Sequence, residues 1–264
     1  MNFENLLVER NRSSVAVTLN RPDVRNAFNA KLIEELHNCF SDLSSDDSVR
    51  VIVLQGAGKL FCAGADINWM KESVNSTEEQ NREDAMKMAR MYQAIDQCTH
   101  PVIGRIHKAA FGGAVGLAAV CDIVVAAEDT KFSFSEVRLG IVPAVISSFS
   151  LRKIGISQAR RYFLTGEVFE AEVAKEIGLV HDVVSEKKLD KRVEKLIEEI
   201  LTNGPNAVRE AKVLTQVVPD LFYDEALEYC ADTISRIRAS DEGQAGLNAF
   251  LNKEKAPWIQ ASDE

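Results

Sequence analysis

The stretch that decides the fold is VIGRIHKAAFGGAVGLAAVCDIVVA, residues 102–126. Its two ends, Val102–Ile106 and Ile123–Ala126, are continuous apolar runs of the kind that buried strands have. Between them, Gly112-Gly113 comes directly before Ala114–Val120, a run of small residues that we predict to be a helix. Strand, glycine turn, helix and strand in this order indicate an α/β fold.

The segments before this stretch follow the same plan. Leu6–Glu9 and Val15–Leu19 are short β-like runs joined by a polar turn, and Val51–Leu54 is a buried-type strand. Apolar residues at helical spacing predict a helix from Ala30 to about Leu43 and another over Ala85–Ile95. The α/β architecture therefore extends from the N-terminus.

The character of the chain changes after Lys131. Phe132–Phe134 is β-like, but from about Ser157 nearly everything is predicted helical apart from the short run Leu179–Val184. Amphipathic helices are predicted over Glu186–Leu201, Asn206–Val218, Leu221–Ile237 and Glu242–Lys253. An α/β part is thus followed by a helical part.

Composition limits the functional class. The chain has 264 residues, 46% of them hydrophobic, which fits one substantial domain or a domain with a helical appendage. A formal net charge of −9 argues against a surface that attracts nucleic acid or anionic lipid. No apolar run reaches the length of about 18 residues expected of a membrane span. We expect neither a nucleic-acid nor a membrane partner.

The cysteines indicate the compartment. There are five, an odd number without C-x-x-C spacing, so they are predicted to be reduced thiols. Met1–Arg12 lacks the apolar core of a secretory signal. We expect a cytoplasmic protein, with a matrix location after removal of a transit peptide as the alternative. Neither cysteines nor histidines have metal-ligand spacing, so no metal is expected.

Two glycine-containing turns are candidates for binding negative charge. In Phe61–Ile67, small residues around Gly64 let a ligand approach backbone N–H groups, and Asp66 can cap the helix that follows. Ala109–Leu117 places Gly112-Gly113 in the same context. Each turn alone is equally a tight connection or a close packing site. Together they predict paired backbone donors for an oxyanion.

Glu136 is the candidate acid–base residue. It lies between apolar and hydroxyl neighbours just before Gly140, where loss of hydration would raise its pKa and make it a usable proton donor and acceptor. The plain alternative is an ion pair with Arg138.

Other nucleotide and hydrolase motifs are absent from the sequence. Gly56-Ala57-Gly58 starts like a dinucleotide fingerprint, but Phe61 occupies the place of its third glycine. The chain also has no G-x-S-x-G elbow.

The two glycine-containing turns, followed by the segment around Glu136, resemble in this order the signature of the enoyl-CoA hydratase/isomerase (crotonase) family. The resemblance extends over nearly the whole chain. The matching motifs are Asn20-Arg21-Pro22 with Asn26-Ala27, Phe61–Asp66, Gly112-Gly113 through Cys121-Asp122-Ile123, Glu136 with Leu139-Gly140 and Pro143, Leu164-Thr165-Gly166, Ala174–Val180 and Ala249-Phe250-Leu251. The resemblance implies a spiral of β-β-α units over residues 1–200, containing the active site, and a helical oligomerisation region over residues 201–264. It also implies a homotrimer or a dimer of trimers.

Site residues follow from the resemblance residue by residue. The N–H groups of Ala65 and Gly113 would hold the thioester oxygen, and Glu136 would exchange a proton with the substrate carbons. Coenzyme A, which is part of the substrate and not a separate cofactor, would contact the Ala63 carbonyl through its adenine. Its phosphates would meet Arg25 and Lys253, with Lys253 reaching a neighbouring subunit's ligand. The predicted lining of the acyl pocket is Trp69, Met70, Phe134, Val145 and Ile146.

One position departs from the family pattern. Where two-carboxylate hydratases have a second, water-activating glutamate, this chain has Gly116. If that glycine leaves open space, Gly116→Glu should raise hydration. The local sequences of Ala65–Lys71 and Ser135–Gly140 are most similar to those of bacterial methylglutaconyl-CoA hydratases. The expected function is therefore hydration of a short, branched and perhaps carboxylated enoyl-CoA. The alternatives are a Δ3,Δ2-enoyl-CoA isomerase and a non-catalytic CoA-binding protein, the latter disfavoured by Glu136.

Overall fold

Two sheets organise the chain. In the computed structural model, which describes residues 3–259, one sheet has six strands and the other three. The strands are β1 Leu6–Asn11, β2 Ser14–Leu19, β3 Val51–Gly56, β4 Val102–Ile106, β5 Ala109–Phe111, β6 Ile123–Ala127, β7 Lys131–Ser133, β8 Phe169–Glu170 and β9 Asp182–Val184. The larger sheet has the order β1-β2-β3-β4-β6-β9, parallel except for the β1–β2 hairpin. The smaller has the order β5-β7-β8.

Helices cover the sheets and form the C-terminal part. They are α1 Ala30–Ser44, α2 Ile67–Ser73, α3 Glu78–Asp96, α4 Gly113–Val120, α5 Ala144–Thr165, α6 Ala171–Glu176, α7 Leu189–Leu201, α8 Pro205–Val217, α9 Tyr223–Ala239 and α10 Asp241–Asn252. The α/β prediction is confirmed, as are the predicted β4–α4–β6 order and the helical C-terminal part. No helix in the described part of the chain is both long and apolar enough to cross a membrane.

The large sheet is buried on both faces. Along β3, Ile52 and Leu54 belong to the main core, which also contains side chains of α1, α3 and α4. The alternate residues Val51 and Val53 pack instead with Leu189 and other residues of α7. Side chains alternate between the faces of a strand, so a strand covered on both sides is apolar throughout. This is why β3, β4 and β6 are continuous apolar runs.

Several predicted boundaries were wrong, among them the start of helix α3, which begins at Glu78 and not at Ala85. Helix α5 begins at Ala144, well before Ser157, and the chain kinks inside it at Gly155, whose φ of 70° is not helical. Only Asp182–Val184 of the predicted run Leu179–Val184 is a strand. The amides of Leu179 and Val180 both donate to the Ala174 carbonyl and so close the end of α6. Their apolar character reflects burial in that cap.

The C-terminal helices are fastened to the α/β part by a buried lysine. Lys212 of α8 is 9% exposed, and its Nζ donates to the Asp122 carboxylate at 2.8 Å and to the His100 carbonyl at 3.2 Å. Breaking one partner of such a buried pair typically costs about 3–5 kcal/mol. The two parts of the chain that we predicted on either side of residue 200 are therefore joined by the Lys212–Asp122 ion pair.

Candidate active site

A largely apolar cavity of about 340 Å³ lies where the two glycine turns approach each other. Its walls come from the loop before α2, one side of α3, the β5–α4 turn, the 3₁₀ helix Ser135–Leu139 and the start of α5. Of the residues predicted for the site, the cavity is lined by Ala63, Ala65, Trp69, Met70, Gly113, Glu136, Val145 and Ile146. Segments far apart in sequence therefore converge on one cavity.

The first turn is held by backbone contacts on both sides of Ala65. The Phe28 amide donates to the Gly64 carbonyl at 2.7 Å, and the Asp66 amide donates to the Phe28 carbonyl at 2.8 Å. Ala65 lies between these two bonds, and its own N–H has no hydrogen-bond partner among residues 3–259. Gly64 has a φ of +96°, and an added Cβ would come within 2.7 Å of the Phe111 carbonyl oxygen. Glycine is therefore required there.

Asp66 anchors the end of this turn. Its carboxylate accepts a hydrogen bond from the Asn68 amide at 2.8 Å and caps α2, as predicted. It also forms a buried ion pair with Arg21 at 3.0 Å. Although burial opposes ionisation, the Asn68 amide and the Arg21 guanidinium keep the pKa of Asp66 below its usual range.

The second turn runs beside the first. Cys62 and Ala110 form a parallel bridge, and Ala65 and Gly113 each lie three residues further along their segments. Gly112 has a φ of 53°, and its amide donates to the Ser133 carbonyl. The following N–H, that of Gly113, has no hydrogen-bond partner in the part of the chain that the structure describes. Two unpartnered amides thus lie on the cavity wall, one from each turn.

Glu136 lies next to the second turn. Its Oε1 would be only 3.3 Å from a Cβ placed on Gly112, while its Oε2 is buried without a hydrogen-bond partner. Loss of hydration raises the pKa of the Glu136 carboxyl above its usual range. Arg138 is exposed and forms no ion pair with Glu136. The ion-pair alternative is therefore not supported, and the carboxyl is free to act on a bound molecule.

The expectation of open space at Gly116 is wrong. A Cβ at this position would lie 2.4 Å from Ile146 Cγ2 and 2.9 Å from Tyr92 Cζ. Tyr92 is fully buried, and its hydroxyl donates to the Gly113 carbonyl at 2.6 Å. Burial raises the pKa of this phenol well above its usual value, so it stays a donor. An aromatic ring and an isoleucine therefore fill the space where a second carboxylate would have to begin.

Phe134 does not line the cavity, contrary to prediction. Its side chain is fully buried against Phe163 and Phe169, with ring centroids 4.7 and 6.2 Å away. Strand β7 ends at Ser133, and the ring turns into this aromatic cluster rather than toward Glu136. Its contribution is to support the segment that carries the carboxylate.

Of the three predicted CoA contacts, Ala63 lines the cavity, whereas Arg25 and Lys253 do not. Arg25 and Lys253 both have a φ of 57°, each at the C-terminal cap of a helix. The Ala63 amide donates to the Arg25 carbonyl at 3.0 Å, so these two predicted contacts are neighbours. Among residues 3–259, no group of His, Cys, Asp or Glu side chains is arranged to hold a metal ion.

Several lining residues were missed from the sequence. They include Phe28, Asn81, Asp84, Met88, Ser135, Ile141 and Val142. Asn81, Asp84 and Met88 share one side of α3, a spacing that was available in the sequence. Ser135, directly before Glu136, gave no separate signal.

Comparison with known proteins agrees with this geometry. The family model described as Enoyl-CoA hydratase/isomerase matches residues 9–261. The chain is 32% identical to a crotonyl-CoA hydratase of Syntrophomonas wolfei, covering 98% of this chain and 99% of that protein. It is 30% identical to a 2,3-dehydroadipyl-CoA hydratase of Escherichia coli, covering 94% and 96%. An enoyl-CoA hydratase structure from Shewanella pealeana superposes with a TM-score of 0.93 at 36% identity, covering 97% and 96%.

Proposed function

The chain belongs to the enoyl-CoA hydratase/isomerase family, and we propose that it adds water across the α,β double bond of a short, branched enoyl-CoA. Relatives named as hydratases support a hydratase enzyme. The observation that carries the proposal is the Glu136 carboxyl: the residue lines an apolar cavity, and one of its carboxyl oxygens, Oε2, is buried without a hydrogen-bond partner. The amides of Ala65 and Gly113, also unpartnered, share that cavity.

In the proposed reaction, the thioester oxygen accepts hydrogen bonds from the two amides. The water oxygen bonds to the β-carbon, the π electrons move to the thioester oxygen, and the Glu136 carboxylate takes a proton from the water. Glu136 then delivers a proton to the α-carbon, and the enolate returns to a thioester. Each backbone donor of this kind is typically worth about 10²–10³-fold in rate. A carboxyl with a raised pKa suits both proton transfers.

The acyl group that best suits the cavity is uncarboxylated. Its lining contains Trp69, Met70 and Met88 but no lysine, arginine or histidine within the described residues. A carboxylate on the acyl chain would have no cation in this lining to pair with. We therefore propose a branched apolar acyl group in place of the carboxylated one that the sequence suggested.

This choice is tested by comparing tiglyl-CoA, methylglutaconyl-CoA and unbranched crotonyl-CoA as substrates. We expect kcat/KM for tiglyl-CoA to exceed that for methylglutaconyl-CoA by about tenfold or more, which corresponds to about 1.4 kcal/mol. A preference for the carboxylated substrate would contradict the proposal.

We also propose that coenzyme A lies along Ala63 and Arg25. The backbone hydrogen bond from the Ala63 amide to the Arg25 carbonyl makes the two residues neighbours, which supports one ligand that contacts both. Lys253 remains a proposed phosphate contact. The chain would form a trimer or a dimer of trimers, for which the exposed apolar side chains of Leu227 and Phe250 give support.

One observation favours the isomerase as second candidate. With Tyr92 and Ile146 filling the space at Gly116, Glu136 has no carboxylate partner there. A single glutamate is enough to take a proton from the α-carbon of a β,γ-enoyl-CoA and return a proton to the γ-carbon. This shifts the double bond without adding water.

The two functions are separated by product analysis. Wild-type enzyme is incubated with crotonyl-CoA and with vinylacetyl-CoA in deuterated water, and products are identified by NMR and mass spectrometry. Glu136→Gln is the matched control, because it keeps the size of the side chain and removes proton transfer. We expect a hydroxyacyl product from crotonyl-CoA, and from vinylacetyl-CoA only after Glu136 has moved its double bond to the α,β position. Isomerised product without any hydrated product would show that the enzyme is an isomerase.

A further inference from the structure

We propose that the Ser135 hydroxyl holds the water molecule that adds to the substrate, together with the Glu136 carboxylate. This inference rests on the proposed hydration. Water that attacks one carbon must be oriented by at least a second group, because a single hydrogen bond leaves it free to rotate. The side chains on the cavity wall that carry an oxygen, and can therefore accept a hydrogen bond from water, are Asn81, Asp84, Ser135 and Glu136 within the described part of the chain.

Two of these side chains are too far from the reacting end. Tyr92 marks that end of α3, because its hydroxyl contacts Gly113. Asp84 and Asn81 precede Tyr92 on the same helix by eight and eleven residues. With a rise of 1.5 Å per residue, they lie about 12 and 16 Å along the axis from Tyr92. They therefore belong to the other end of the cavity.

Ser135 lies beside the carboxylate. A Cβ placed on Gly112 would be 3.5 Å from Ser135 Oγ and 3.3 Å from Glu136 Oε1, so both oxygens flank the same point. That point adjoins Gly113, whose free amide shares the cavity. The Ser135 hydroxyl makes no hydrogen bond within residues 3–259, although it lines the cavity. It is thus a free donor and acceptor at the reacting end.

The space next to Gly116 contains no free polar group that could hold the water in place of Ser135. Ile146 Cγ2 and the Tyr92 ring occupy it, and the Tyr92 hydroxyl is already committed to the Gly113 carbonyl. Near Glu136, Ser135 is therefore the side chain left to position water. In the addition step the serine accepts or donates a hydrogen bond only. The water proton goes to Glu136, and the water oxygen goes to the β-carbon.

The test compares two reactions that need different parts of the site. Hydration of crotonyl-CoA requires the water, whereas isomerisation of vinylacetyl-CoA requires only Glu136 and the two amides. For Ser135→Ala we expect kcat for hydration to fall about 10- to 100-fold, with KM within about twofold. Isomerisation should stay within about threefold of wild type, which also shows that the variant is folded.

Two further variants sharpen the result. Ser135→Thr keeps the hydroxyl and should recover most of the hydration rate. Ser148→Ala, at an exposed serine outside the cavity, should behave as wild type in both assays. Equal losses of both activities in Ser135→Ala, or no loss of hydration, would overturn the role of Ser135. A wild-type enzyme that forms no hydrated product would overturn the proposed function itself, a distinguishable result.

Discussion

Replacing Gly116 with alanine tests the close packing around this glycine in the candidate active site. The new methyl carbon would lie 2.4 Å from Ile146 Cγ2 and 2.9 Å from Tyr92 Cζ. Carbon atoms in contact prefer about 3.5–4.0 Å, so the isoleucine must move by at least about 1 Å. Overpacking of this kind costs about 1–3 kcal/mol, and helix propensity returns up to about 1 kcal/mol when alanine replaces glycine. We expect a net loss of about 1–2 kcal/mol of unfolding free energy.

A double-mutant cycle of Gly116→Ala with Ile146→Ala tests whether the contact with Ile146 causes this loss of stability. Ile146 is 2% exposed, so Ile146→Ala alone should cost about 2–5 kcal/mol through the cavity it creates. In that background the Cγ2 atom is gone, and the Gly116→Ala methyl can occupy its place. The cost of Gly116→Ala should then fall to the part caused by the remaining contact with Tyr92 at 2.9 Å, giving a coupling energy of about 1–3 kcal/mol.

Urea unfolding followed by circular dichroism measures each corner of the cycle. Unchanged m-values would show that the variants lose stability rather than cooperativity. If Gly116→Ala is as stable as the wild type, or if its cost is the same with and without Ile146→Ala, the packing argument is refuted. A glutamate at position 116 has the same Cβ as alanine and a longer side chain, so Gly116→Glu should lower the free energy of unfolding further. It should not raise the hydration rate, because the space for its carboxylate is filled.

Three other predictions follow from the site and its surroundings. Glu136→Gln should lower turnover by about 10²–10⁴-fold. Because burial raises the pKa of this carboxyl, its ionisation opposes folding, so the same variant should melt higher than wild type at pH 7–8. That gain should shrink toward pH 4.3, where the unfolded carboxyl is protonated, and a difference independent of pH would contradict it. Arg25→Ala should weaken acyl-CoA binding, and the affinity of the wild-type protein for acyl-CoA should fall as the salt concentration rises. Equal affinities for acyl-CoA and acyl-pantetheine, measured by calorimetry, would contradict a contact between Arg25 and a phosphate. Sedimentation should give a multiple of three subunits, and a fully active monomer would disprove this.

The parts of the fold that sequence predicted well are those fixed by local pattern. The bounds of β4 match the predicted Val102–Ile106, because a strand buried on both faces is apolar at every position. Helix α4 follows its glycine pair as expected, since a positive φ at Gly112 is needed for the chain to turn. Glu136 was predicted to be partly buried because it stands between apolar neighbours, and the structure places it in the cavity wall with one oxygen buried.

The failures involve contacts between distant residues. Phe134 was placed in the pocket by its nearness to Glu136 in sequence, but its direction is set by Phe163 and Phe169 on later elements. Gly116 suggested open space, yet Tyr92 from α3 fills it, and no local pattern around the glycine reveals that. Which side chain occupies a given space depends on how elements pack, and periodicity carries no such information.

The two unpartnered amides at Ala65 and Gly113 belong to the main chain. Every residue except proline carries such a group, so the donor itself does not depend on which side chain these positions carry. What must be inherited is the path of the backbone, which is fixed elsewhere by Phe28, Gly64 and Gly112. A Cβ on Gly113 would come within 2.9 Å of the Tyr92 hydroxyl, and a change at Gly64 or Gly112 would alter the backbone path that positions both donors. A scan that replaces one side chain at a time would therefore report on these contacts and not on the two N–H donors.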